Sequence, residues 1–295
     1  MTASIAWSAN VDWLTITWPE SRRDAVSLLR LEGIARFASE TATKCKAERE
    51  PARWMGYEGA QIGKVFVGTR ADGTCVKATG ITAHHIVNML PSNEASVARL
   101  DLAVTVWFGQ DDTMVALRAK DDVLRWRGGG GLASRQLVKY IDGCGSGDTL
   151  YIGARTSHIF ARIYDKGRES KDEAYRWSWR YEVEIKNRIA DKAFRELNLR
   201  KWTPDSIAAT VSSYFQSKGH TPPYNSLASP PVALYEAVSR SSSDELLIWL
   251  QRQVGPSVRR LLRESRASDI LAALGIAGNI VLTADSPTTT LHGEV

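Results

Sequence analysis

Three segments of this 295-residue chain alternate apolar and polar residues with a period of two, and no other feature restricts the fold as much. In VARLDLAVTVWF, Arg99, Asp101 and Thr105 share one face, and Leu100, Leu102, Val104, Val106 and Phe108 share the other. From His158 to Lys166, the residues Arg162, Tyr164 and Lys166 oppose Ala161 and Ile163. From Trp179 to Ile185, the residues Arg180, Glu182 and Glu184 oppose Trp179, Tyr181, Val183 and Ile185. Side chains alternate across a strand, so each segment has one apolar face for helices to cover and one face of tyrosine, carboxylate and arginine. The expected class is α+β: a curved, mainly antiparallel sheet flanked by helices, with a helical C-terminal segment.

The flanking sequence fits that plan. Val11 to Trp18 alternates as a further strand, with Leu14, Ile16 and Trp18 on one side, and a helix is expected from Pro19 to Ala38. IGKVFVGT and GTCVKATG read as a hairpin around Arg70 to Gly73, because Asp72-Gly73 supplies the positive φ of a tight turn. Helices follow at Thr82 to Asn88, Asp112 to Arg125, Asp191 to Leu199 and Thr203 to Gln216, the last with Thr203 as N-cap before Pro204. Gly128 to Gly131 forms a loop, and Ser217 to Pro231 reads as a linker by composition. Beyond it, DELLIWLQRQVG and PSVRRLLRES are amphipathic helices. The resulting division is a sheet-based core over 1–200, a helical region over 201–280 and a flexible tail over 281–295.

Composition narrows the partners. The chain has 38 Lys and Arg against 33 Asp and Glu, a net +5 that fits nucleic acid without demanding it. Of its ten tryptophans, Trp126 and Trp177 lie among arginines, where an indole stacks on an unpaired base while a guanidinium holds phosphate. Trp13, Trp18, Trp54 and Trp249 sit in amphipathic patterns and are expected in the core. Cys45, Cys75 and Cys144 have no metal or redox spacing and read as reduced bystanders. No signal peptide and no membrane-length apolar run is present, so a cytoplasmic protein that does not contact membrane is expected. No Walker-type phosphate loop occurs either, and His84-His85 lacks the spacing of a His-hydrophobic-His metal motif.

The spacing of the central residues resembles the replication initiation factor family, the trans-acting Rep proteins of rolling-circle plasmids, filamentous phages and integrative elements. That family's pattern runs R-x-D, then T-x-Y-x-G-x-x-x-S-x-x-x-x-R-x-Y-D-K, then R-x-E-x-E. It is matched here by Arg99 and Asp101, by Thr149, Tyr151, Gly153, Ser157, Arg162, Tyr164, Asp165 and Lys166, and by Arg180, Glu182 and Glu184. The resemblance begins near VDWLTITW and continues to WLQRQVGPSVRRLL. It implies an origin-specific, metal-dependent DNA-nicking and strand-transfer enzyme that forms a 5′-phosphotyrosine link. Tyr164 would be the nucleophile, with Arg162 and Lys166 as its cationic partners, and Asp101, Glu182 and Glu184 would hold Mg²⁺ or Mn²⁺. A phenol with pKa about 10 is a weak nucleophile, and a phosphodiester neutralised by a divalent cation is the electrophile that suits it. The implied partners are an origin, presented as a single strand or extruded hairpin with flanking duplex, a host helicase and a second copy of the chain.

Arg99, Arg155, Arg180, Arg259 and Arg263 are the candidate DNA contacts. The arginines of the C-terminal helix serve equally well as a solvated face. On pattern alone, the Arg and Glu residues of the central strands also read as ordinary cross-strand ion pairs. Tyr151 competes with Tyr164, although Leu150 and Ile152 beside it suggest a packing role. One position departs from the resemblance: family members often carry R-x-D-x-x-x-D, and Thr105 stands where the second carboxylate falls. A conjugative relaxase with the same chemistry, or a DNA-binding regulator without catalysis, are the alternative readings.

Overall fold

The structure, a computed structural model, describes residues 5–19, 33, 34, 36, 40, 49–71, 73–90, 96–125, 138–170, 172–224 and 229–234. The chain divides into two compact units, Met1–Tyr235 and Glu236–Val295. The second lies outside the described residues, as do the glycine run, Cys45, Trp126, Trp249, Arg259, Arg263 and most of the helix expected from Pro19 to Ala38, of which 33, 34 and 36 are helical and Pro19 ends a strand.

Among the described residues, ten strands form one antiparallel sheet in the order β2-β3-β4-β5-β1-β6-β10-β9-β8-β7. They are β1 (Ala6–Pro19), β2 (Arg49–Trp54), β3 (Tyr57–Ile62), β4 (Val65–Arg70), β5 (Gly73–Thr79), β6 (Ser96–Trp107), β7 (Val138–Ile141), β8 (Thr149–Ile152), β9 (Ile159–Asp165) and β10 (Ser178–Lys186). Helices α1 (Ile81–Val87), α2 (Val115–Arg125), α4 (Asn187–Leu199) and α5 (Pro204–Ser217) contribute buried residues to the core, and the five-residue α3 (Lys166–Ser170) follows β9. The α+β expectation holds, and the alternating residues take the faces that their periodicity assigns. Leu100, Leu102, Val104, Val106, Ile163, Val183 and Ile185 pack into one core with Ala193, Phe194, Ile207 and Phe215 from the helices. Thr203 caps α5, its hydroxyl accepting from the Ser206 amide at 3.2 Å, and Pro204 follows.

Three local expectations are corrected. β9 ends at Asp165, so Lys166 opens α3 instead of continuing the strand. Part of the segment read as a linker is packed: His220 and Tyr224 are buried, as are Val232 and Leu234 just beyond it. Its Pro and Ser content describes turns laid over a core, because the apolar side chains between them find the sheet. Trp18 is a core residue, but Trp13 and Trp54 are half-buried and outside the main core. Both stand on the sheet face turned away from the helices.

Candidate active site

Strands β1, β6, β10 and β9 are consecutive neighbours, and their alternate residues meet on that helix-free face. Register sets the contacts: Tyr164 stands opposite Arg180, Arg162 opposite Glu182, and Glu184 opposite Asp101. Asp101 and Glu182 are each 1% exposed, and carboxylates so buried need partners. Arg99 grips Asp101 through Nε to Oδ1 at 2.9 Å and Nη2 to Oδ2 at 2.7 Å, and Nη2 also lies 2.8 Å from Glu184 Oε2. Lys186 Nζ holds the other Glu184 oxygen at 2.6 Å. Arg162 donates to Glu182 Oε1 at 2.6 Å, which leaves Oε2 to accept a long 3.3 Å hydrogen bond from the Tyr164 hydroxyl.

These surroundings shift the proton affinities. Burial pushes the Asp101 carboxyl up to about 7; Arg99 opposes the rise, and the charges of Glu182 and Glu184 add to it. Burial also raises Glu182, against the charge and hydrogen bond of Arg162. The Tyr164 phenol, 8% exposed, is raised first by burial and then by the Glu182 charge, with Arg180 and Arg162 opposing. It therefore rests as a neutral donor aimed at a carboxylate with enhanced affinity for a proton. Cations flank its ring, Arg162 Cζ at 5.1 Å and Lys166 Nζ at 5.9 Å from the centroid.

A residue absent from the expectations completes this face. Val11 and Leu14 are both buried in the core although they are three apart, which strict alternation forbids. The β1–β6 register shifts between Val11 and Trp13, and the resulting bulge at Asp12 turns its side chain onto the site face. There Asp12 Oδ1 accepts from Arg180 Nη1 at 3.0 Å, while Arg180 Nε donates to the Thr105 hydroxyl at 3.1 Å. The broken period around Asp12 was the available signal. Asp12, Arg180, Lys166 and Tyr175 line a cleft of about 590 Å³ with Asn10 and Trp107.

Of the other expected residues, Arg180 is 5% exposed, with Nε on Thr105 and Nη1 on Asp12, so it ties β10 to β6 and β1 at the wall of this cleft. Arg155 is exposed, its guanidinium 5.6 Å from the Tyr151 ring. Tyr151 occupies the site face opposite Arg162, stacked on Phe160 at 5.5 Å, because Leu150 and Ile152 take the core face. Trp177 is 40% exposed with the Arg176 guanidinium 4.4 Å from its ring.

A family model for replication initiation factors matches residues 95–274, more than half of the chain and all of β6 to α5. The chain belongs to the replication initiation factor family. The fold agrees: the structure of a rolling circle replication initiator protein from Geobacillus stearothermophilus superposes with a TM-score of 0.52, at 18% identity, over 78% of this chain and 94% of that one. No curated protein matches. Among the described residues, no helix is long and apolar enough to cross a membrane. For this family member the Thr105 departure has a local account. Where the family pattern places a carboxylate, Thr105 accepts from Arg180, and the same guanidinium finds a carboxylate, Asp12, on the adjoining strand.

Proposed function

We propose that this replication initiation factor is a rolling-circle initiator that nicks one strand of its origin and transfers the strand through a 5′-phosphotyrosine link. The observation that carries the reading is the Tyr164 hydroxyl donating to Glu182 Oε2 while Arg162 occupies Oε1. Tyr164 Oη attacks the scissile phosphorus as its proton passes to Glu182. The bond from phosphorus to the 3′ oxygen breaks, that oxygen takes a proton from solvent, and the 5′ phosphate stays esterified to Tyr164. The raised proton affinity of Glu182 brings it nearer the range in which a general base is effective at neutral pH. Arg162 fixes Glu182 in place, and with Lys166 it lies beside the ring that the phosphate must approach. Attack by a later 3′-hydroxyl on the phosphotyrosine reverses the step and closes the displaced strand.

The acidic residues suit a divalent cation. Asp101, Glu182 and Glu184 offer hard oxygen donors on one sheet face, with Glu184 opposite Asp101 across β6 and β10. Among the described residues, no three acidic, His or Cys side chains converge to enclose an ion unaided. Mg²⁺ and Mn²⁺ are commonly held in proteins through one or two carboxylates, with water and substrate phosphate filling the shell. Asp101 and Glu184 would hold the ion, which when bound neutralises phosphate charge, and Glu182 is left to take the phenol proton. A host helicase opens the duplex ahead of the primed end, and two copies of the chain act together at the origin.

Nicking of a supercoiled plasmid bearing the chain's own gene and flanks, with Mg²⁺ or Mn²⁺, tests the reading. Wild type is expected to relax the plasmid and become covalently attached to DNA, and Tyr164→Phe to do neither. Specific binding without nicking under either metal would instead establish the regulator, and nicking that survives Tyr164→Phe would move the nucleophile to Tyr151 or elsewhere.

A further inference from the structure

The face that carries Tyr164 continues past the acidic residues onto strands outside the family match, which begins at residue 95. Trp13 stands opposite Asp101 in the β1–β6 register, and the Arg99 guanidinium lies 4.4 Å from its ring centre. Its indole Nε1 donates to the Thr15 hydroxyl at 2.9 Å, which fixes the ring. Lys77 Nζ on β5 is 5.6 Å from the Trp13 ring and 5.6 Å from the Trp54 ring, so the ammonium sits between two indoles. Trp54 leans on Phe66 with ring centres 6.3 Å apart. Phe66 lies so close over Gly68 that a Cβ there would come within 2.5 Å of the ring. Tyr57, Phe66 and Cys75 thus form a small apolar floor separate from the main core.

Arg99, Trp13, Lys77 and Trp54 alternate cation and aromatic, and all four keep part of their surface in solvent. Burial alone does not account for a lysine between two indoles on the face opposite the core. An unpaired polynucleotide does fit it, since every base has a π-face for an indole and every phosphate a charge for a cation. A duplex keeps its base faces inside its own stack. From β9 to β5 the face crosses four interstrand spacings of about 4.8 Å, roughly 19 Å, which is room for a strand of several nucleotides.

We propose that Trp13, Lys77 and Trp54 form a base-stacking track that holds the unpaired DNA strand adjoining the phosphate at Tyr164. The proposal rests on the nicking reading for its link to Tyr164, and its test is independent of that reading. Full-length protein carrying Tyr164→Phe is titrated with fluorescein-labelled oligothymidylate and with a duplex of mixed sequence. Trp54→Ala and Lys77→Ala are each expected to weaken single-strand binding by about tenfold or more, with duplex binding changed less than about twofold. Trp54→Phe restores most of the loss, because it restores a stacking face, and Lys77→Ala lowers the salt slope by about 0.7. Unchanged single-strand affinity in a cooperatively melting Trp54→Ala protein overturns the proposal, as do equal losses for single strand and duplex. Should the alanine variants fail to fold, photocrosslinking of oligonucleotides containing 5-iodouracil to the Tyr164→Phe parent decides: adducts on Trp13 or Trp54 support the track, and adducts confined to other residues overturn it. Adduct formation at Tyr164 in wild type without any effect of Trp54 sinks the track alone. Trp54-dependent binding with no nicking sinks the nuclease alone.

Discussion

Truncating Arg162 would strand Glu182, whose side chain is 1% exposed and gives Oε1 to the Arg162 guanidinium at 2.6 Å. An uncompensated buried carboxylate is among the costlier single defects, so Arg162→Ala is expected to lower stability by about 3 kcal/mol, seen as a lower urea midpoint with an unchanged slope. Arg162→Ala combined with Glu182→Gln regains most of that loss, because the amide carries no charge to leave unpaired. Tyr164→Phe, by contrast, removes one long hydrogen bond and costs about 1 kcal/mol or less. Most of this cluster was legible in the sequence. Arg99, Asp101, Arg162, Tyr164, Glu182 and Glu184 follow from period two within unbroken strands. Lys166 was legible as a neighbour of Tyr164, but its setting was not, because the strand yields to a helix at that residue and Asp165 accepts from the Arg168 amide at 2.9 Å.

The bulge at Asp12 shows how one extra residue in a strand assigns faces. Ser8 and Asn10 lie opposite Thr105 and Ala103 on the site face, and Ala9 and Val11 pack into the core. Deleting Asp12 would shift the N-terminal part of β1 by one residue and exchange those two sets. The deletion is expected to abolish cooperative thermal melting, whereas Asp12→Asn, which keeps the bulge and weakens only the Arg180 pair, retains it. Near-ultraviolet circular dichroism on heating separates the two outcomes. Bulges carry a faint sequence signal, and so does the β2–β3 hairpin, whose Glu50, Pro51, Arg53, Glu58 and Gly59 interrupt any apolar alternation. The strands buried in the centre of the sheet were readable because both of their faces are constrained. The edge hairpin was not, since one side of it meets solvent.

Distant parts of the first unit converge on β10 from behind. Tyr181 on β10 stacks on His220, ring centres 5.9 Å apart, and His220 Nδ1 lies 2.8 Å from Asp122 Oδ2 on α2. Burial lowers the His220 pKa, and it outweighs the opposing Asp122, a carboxylate half in solvent. A histidine whose folded-state pKa is depressed gives stability that is present above its unfolded value, about 6.5, and lost as pH falls through the folded one. The melting temperature of wild type should therefore fall more between about pH 7 and pH 5 than that of His220→Phe, as differential scanning calorimetry would record. Composition hid this arrangement, because the residues around His220 read as linker until the sheet beneath them is known.

The order in which the strands leave the ribosome gives the layout a further meaning. Asp12 and Asp101 lie on β1 and β6, Tyr164 on β9 and Glu182 on β10, and the site forms where β10 inserts between β6 and β9. On the proposed chemistry, a chain released before β10 carries the attacking phenol without its proton acceptor and without its link to Asp101. On that same proposal, phenol and proton acceptor come together only when the last of the central strands is in place.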